Sequence, residues 1–160
     1  MESVLRLGRT ACPEWMAEDI LRRVQADRRV QNMRNFIQHG RVSTYDHCER
    51  VARLSYRIDR RLNLGGDPQV LLQGAMLHDF YLYDWHHKDN GTHRLHGFTH
   101  AARACRNAQT YLGIDHRTAK VIYCHMWPLN PTRIPTSREA WVVCIADKLA
   151  ALQETVCRRQ

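Results

Sequence analysis

The segment QGAMLHDFYLYDW, residues 73–85, decides how this chain is read. It continues an apolar run, VLLQGAML, that follows Asp67 and Pro68 and has almost no polar face. Asp67 is a good N-cap and Pro68 is preorganised for the first helical position, so a helix is expected over residues 68–79. A helix that is apolar nearly all round belongs in the centre of a fold. Yet this one finishes on His78 and Asp79, where aliphatic side chains would be buried at lower cost.

Working outward, helical spacing dominates on both sides. Pro13 and Glu14 open a first helix expected to run, with a break, to about Gln38, and Gly40 stops it. Ser43 or Thr44 caps a second helix that places His47, Val51, Leu54, Ile58 and Leu62 on one stripe at steps of three and four. Further helices are expected from about Thr99 to Leu112, from about Asp115 to Met126 and from about Ser137 to Cys157. Between the last two, WPLNPTRIP carries three prolines and cannot be helical. Residues 80–97 form the longest irregular stretch, and loops of that length inside compact domains are commonly functional. No period-2 strand stands out. The expectation is an all-α, single compact helical bundle, with residues 1–40 as an N-terminal helical extension packed on a core of residues 41–160.

The chain has 160 residues, the size of one ordinary domain. Apolar residues make up 44% and charged residues 25%, a globular balance and not a disordered one. No apolar run is long enough to span a membrane, and the N-terminus lacks a secretory stretch, so a cytoplasmic location is expected. None of the six cysteines forms a C-x-x-C pair, which removes support for a zinc ribbon or a thioredoxin-like motif; they read as small buried hydrophobes. The net charge of +8 favours anionic partners such as phosphates, nucleotides or nucleic acid, but the arginines are dispersed and most read as solvated helix faces.

Polar side chains on apolar faces carry more information. His47 heads the stripe of the second helix. His100 shares a small-residue face with Ala104 and Ala108, and His125 lies one turn from Val121 and Ile122. Asp147 interrupts AWVVCIADKLAAL, and a lone buried carboxylate is costly unless paired or metal-bound. Each alone reads as a satisfied core residue. Together, four inward histidines and two inward carboxylates from five helices form a mixed imidazole and carboxylate set suited to Zn, Fe, Mn or Ni. Six donors exceed the needs of one catalytic ion and suit two ions sharing a carboxylate.

The ordered set His47, His78-Asp79, His100, His125, Asp147 resembles the HD superfamily of metal-dependent phosphohydrolases, whose core signature is H…HD…D. The stretches TYDHCERVARLS, GAMLHDF, HGFTHAARA, VIYCHMW and CIADKLAAL carry the resemblance over roughly residues 40–155. Two extra histidines before the last Asp are similar to the dinuclear branch of that family, while the missing GYP motif argues against cyclic-di-GMP as substrate. The resemblance implies one or two divalent ions (Fe, Mn, Zn, Ni, Co or Mg). The first would be held by His47, His78, Asp79 and Asp147, and the second by Asp79, His100 and His125. His96 competes with His100, which the resemblance favours. It further implies a metal-activated hydroxide attacking phosphorus, with Asp79 central to catalysis. Lys148 would contact a phosphate or pair with a carboxylate. In the long loop, His87 would serve as general acid, and His86, Lys88 and Arg94 would bind substrate.

Three functions are therefore weighed. The first is a divalent-metal-dependent phosphatase or phosphodiesterase acting on a small phosphate ester, a nucleotide above all. The second is a non-catalytic HD module that binds metal or nucleotide as a regulator. The third, not favoured, is a helical nucleic-acid binder, for which the chain has charge but no recognisable motif. No membrane partner is expected, and the N-terminal helices offer either a cap on the core or a homodimer contact.

Overall fold

The computed structural model describes residues 12–84 and 96–156. Within them the chain folds as seven α-helices: α1 (Glu14–Gln25), α2 (Arg28–Asn32), α3 (Thr44–Arg61), α4 (Pro68–Leu77), α5 (His96–Leu112), α6 (His116–Cys124) and α7 (Arg138–Val156). The all-α reading holds, with one small exception. A short antiparallel hairpin, β1 (Ile37–His39) and β2 (Val42–Ser43), stands between α2 and α3.

That hairpin corrects the expected long first helix, and local chemistry gives the reason. The Asp27 carboxylate accepts from the Arg29 backbone N–H at 2.8 Å, so it ends one helix and caps the next. A 3₁₀ turn at Met33–Asn35 follows. Gly40 then adopts φ 64°, which turns the chain so that Ile37 pairs with Ser43. The expected end of α4 also moves. Its helical residues stop at Leu77, and His78 is the C-cap. Helix α5 begins three residues earlier than the sequence suggested, α6 ends at Cys124 and α7 spans Arg138–Val156.

Caps set the other boundaries. Ser43 Oγ accepts from the Asp46 N–H at 3.1 Å and donates to the Asp46 carboxylate at 2.7 Å, an N-cap that starts α3. Asp67 accepts from the N–H groups of Gln69 and Val70, with Pro68 inside the first turn of α4. Asp115 accepts from the Thr118 N–H at 2.7 Å and starts α6.

Helix α4 is the central element and packs against α1, α3, α6 and α7. Val70, Leu71, Leu72, Ala75, Met76 and Leu77 are all buried, which is why the helix needs no polar face. No helix among the described residues is long and apolar enough to cross a membrane. Cys48, Cys105, Cys124 and Cys144 are buried and unbridged, Cys12 is half-buried and unbridged, and Cys157 lies outside the described residues.

The α4–α6 crossing is close because Gly74 carries no side chain. A Cβ there would lie 2.7 Å from Val121 Cγ1 and 3.1 Å from its Cβ, both on a stiff β-branched residue. In an open helix Gly→Ala stabilises, but here the clash decides the sign. Gly74→Ala should destabilise the protein by about 1–3 kcal/mol. Adding Val121→Ala should recover part of that loss, and chemical unfolding of the single and double variants checks both.

Candidate metal centre

Five helices bring six polar side chains to one place. His47 lies in the first turns of α3, and His78 and Asp79 follow the last turn of α4. His100 comes from α5, His125 caps the end of α6, and Asp147 sits in the middle of α7. His47 and His78 are fully buried, and Asp79, His100 and His125 nearly so. Asp147 keeps 14% of its side chain exposed, so the centre opens on its side.

The donor atoms form two lobes. In the first, Asp147 Oδ1 lies 3.1 Å from His47 Nε2 and 3.6 Å from His78 Nε2. In the second, Asp79 Oδ1 lies 3.2 Å from His100 Nε2 and 3.6 Å from His125 Nε2, and the two imidazole nitrogens are 3.1 Å apart. Asp79 joins the lobes, since its Oδ2 is 3.5 Å from His78 Nε2. Ligands about 2.1 Å from one ion stand roughly 3–3.5 Å from each other, close to the 3.1–3.6 Å separations of both lobes.

The outer nitrogens explain why the inner ones face inward. His78 Nδ1–H donates to the Ala75 carbonyl at 2.7 Å, and His125 Nδ1–H donates to the Ile122 carbonyl at 2.7 Å. Both are i to i−3 bonds to carbonyls left open at a helix C-terminus. His47 Nδ1 instead donates to Glu154, with its oxygens at 3.0 and 3.2 Å. Each bond fixes the ring and points Nε2 at the centre.

Electrostatics differ between the lobes. Burial disfavours a charged His47, but its hydrogen bonds to Asp147 and Glu154 outweigh burial and push its pKa up to about 10. His125 goes the other way: burial, and then the charge of His78, bring it down to about 3. Asp147 is held well below the usual carboxylate range: burial opposes this, and the hydrogen bond from His47 and the His78 imidazole 3.6 Å away prevail. Asp79 is lowered too, burial being outweighed by the charges of His78 and His100.

The set fits a cation. His78 Nε2 and Asp79 Oδ1 are buried and meet no partner in hydrogen-bond geometry. Buried polar atoms seldom stay so without a reason. Two triads, His47–His78–Asp147 and His78–Asp79–His125, have donor atoms within 4.8 Å of one another and could each hold an ion. His100 extends the second through its contacts with Asp79 and His125.

Other residues singled out in the sequence stand as follows. Lys148 has a half-exposed side chain whose Nζ donates to the His125 carbonyl at 3.0 Å and the Cys144 carbonyl at 3.2 Å, 4.0 Å from Asp147 Oδ2. It ties the end of α6 to α7. His86, His87, Lys88 and Arg94 lie outside the described residues, and His96 opens α5. A cavity of about 800 Å³ lies away from these donors, at the N-terminal ends of α4 and α7. Its charged groups are already engaged: Arg117 bonds Asp67 at 2.8 Å, and Glu139 accepts from the Asp67 N–H at 2.8 Å.

Glu154 was missed in the sequence although a signal exists. It falls two turns after Asp147 on α7, beside the buried Ala150, and is itself buried. Its partner Arg50 lies 3.1 Å away on α3. Gln38 was missed because it was read as the end of a helix. It donates from Nε2 to Asp79 Oδ2.

The HD domain family model matches residues 44–152, which include all six donors. No curated protein and no solved structure matches the chain.

Two outcomes are expected. Glu154→Gln, which keeps shape but removes the charge behind His47, should lower metal affinity about 10- to 100-fold, read by competition with a metallochromic chelator. Because the proton on His47 is held up to about pH 10 in the metal-free protein, metal uptake at pH 7 must displace it. Affinity should therefore rise with pH up to that value. His78 is raised well above its usual value too, so calorimetry in two buffers of different ionisation enthalpy should read release of more than one proton with the first ion.

Proposed function

The chain belongs to the HD-domain superfamily, and we propose that it is a divalent-metal-dependent phosphohydrolase acting on a small phosphate ester, a nucleotide above all. One observation carries this reading: six buried donors arranged as two lobes that share one carboxylate, Asp79. Sites of that kind suit in-line displacement at phosphorus, where charge must be balanced on both the attacking and the leaving side.

His47, His78, Asp79 and Asp147 would hold one divalent ion, and Asp79, His100 and His125 a second. Fe, Mn, Zn, Ni, Co and Mg all remain compatible with the donor types. Bound there, the ions would supply Lewis acidity toward phosphoryl oxygens and lower the pKa of water at the site.

The chain's own residues do the rest. Glu154 and the two helix-end carbonyls keep imidazole lone pairs aimed at the centre, so no reorganisation is needed when a substrate arrives. The buried walls exclude bulk water and strengthen every charge interaction inside. Lys148, beside Asp147 at the more open side, offers a cation to an anionic oxygen. His86, His87, Lys88 and Arg94 belong to the segment that follows Asp79 in sequence and are assigned to substrate binding, with His87 as general acid. The net charge of +8 supports an anionic substrate, for which a cytoplasmic nucleotide pool is the proposed source.

The reading is tested with chromogenic phosphate mono- and diesters and Mn, Co, Ni or Fe supplied to the metal-free protein. Turnover should appear with metal and vanish with chelator. Asp79→Ala should lower kcat by at least about 100-fold, the order expected when metal charge stabilisation is lost. Turnover in Asp79→Ala equal to that of the unaltered chain would sink the proposal.

A further inference from the structure

Asp79 is gripped from outside the matched domain. Its Oδ2 accepts from the Gln38 side-chain amide, while Oδ1 faces His100 and His125. Gln38 stands on β1, six residues before the family match begins, and is buried. Its amide is itself held: the Tyr81 hydroxyl donates to Gln38 Oε1, and Thr44 Oγ1 lies 3.2 Å from that hydroxyl. The orientation of the amide follows from chemistry. A carboxylate only accepts and a phenol donates, so the nitrogen must face Asp79 and the oxygen must face Tyr81.

The chain thus spends three buried polar groups on one oxygen of one carboxylate. Pinning Oδ2 stops rotation of the Asp79 side chain, and Oδ1 is thereby aimed at the histidine pair. A carboxylate oxygen has two lone pairs, so Oδ2 can accept from Gln38 and still serve the first lobe. We propose that Gln38 is a positioning residue for the shared carboxylate, and that the hairpin before residue 44 is therefore a working part of the metal centre. This rests on the reading of Asp79 as a ligand common to two ions.

The second ion should feel the loss most. The first lobe keeps His47, His78 and Asp147 whatever Asp79 does. The second has His100 and His125 besides Asp79, and shares His78 with the first.

The test uses the full chain and Mn²⁺ as probe. The unaltered protein should bind two Mn²⁺ per chain and give an exchange-coupled paramagnetic resonance spectrum. Gln38→Ala should keep the first affinity within about threefold and weaken the second by about tenfold or more, with loss of the coupled spectrum at matched metal concentration. Tyr81→Phe removes one oxygen, leaves the ring in place and leaves Gln38 Oε1 with the longer bond from Thr44 at 3.4 Å, so it should act in the same direction but less. It also serves if Gln38→Ala fails to fold. Without any variant, the Gln38 side-chain amide resonances should shift when Zn²⁺ is added.

Three results would overturn the proposal: second-site affinity unchanged in either folded variant, an unaltered protein that saturates at one Mn²⁺, or a Gln38 amide indifferent to Zn²⁺. Two-metal binding with no hydrolysis would remove the proposed activity and leave this inference standing.

Discussion

A carboxylate buried as deeply as Asp79 must have positive charge beside it, and the rest of this structure is arranged around that need. Among the described residues, no arginine or lysine is placed on it. Its neighbours are three imidazoles and one amide, from α4, α5, α6 and the hairpin. Imidazoles can answer the charge in two ways, by carrying protons or by ligating a cation, and only the second uses all their inward lone pairs. That is why the helices converge as they do. The C-terminal ends of α4 and α6 meet at His78 and His125, whose rings lie 4.8 Å apart. Helix α5 lays a face of Ala101, Ala104 and Ala108 against the core, so that His100 can reach the same point.

The same local device is used twice. His78 and His125 are both C-caps, with φ, ψ of −59°, −30° and −60°, −24°. Each returns its Nδ1 proton to the carbonyl three residues back. A helix end leaves carbonyls unsatisfied, and an inward-facing imidazole needs its outer nitrogen fixed. One hydrogen bond meets both needs. His47 sits at the beginning of its helix, where N–H groups and not carbonyls are spare, so it takes the Glu154 carboxylate instead. The position of each histidine in its helix thus dictates the kind of second partner it has.

This rule also explains what the sequence revealed. Asp67-Pro68, Ser43 and Asp115 announce helix starts because caps are local chemistry, and α4 announces its burial because its apolar residues cover every face. His78, Asp79, His100, His125 and Asp147 were legible because each breaks an apolar pattern. Glu154 breaks one too, but it lies two turns beyond the last recognised position, and a glutamate near a chain end reads as solvent-facing. Gln38 had no signal at all. Its role arises from a hairpin whose partner strand is only two residues long, and from a tyrosine 43 positions away. Contacts across that separation leave no period in a sequence.

The polar centre is buried where five helices meet and opens beside Asp147, which ties stability to occupancy. Without an ion, two carboxylates are held by protons on imidazoles, and the His100 and His125 nitrogens face each other at 3.1 Å. With His125 depressed to about 3, a proton there is disfavoured across the neutral range, so that imidazole adds no charge to match Asp79. A divalent ion resolves that mismatch in the folded state alone, since the unfolded chain has no such assembly. Binding must then stabilise the fold by mass action as well as equip it for chemistry. The hairpin shares in that coupling, because Gln38 on β1 bonds Asp79 directly. A protein built this way has little freedom to separate its metal centre from its core: the residues that would do the chemistry are the same ones that bring α3, α4, α5, α6 and α7 together.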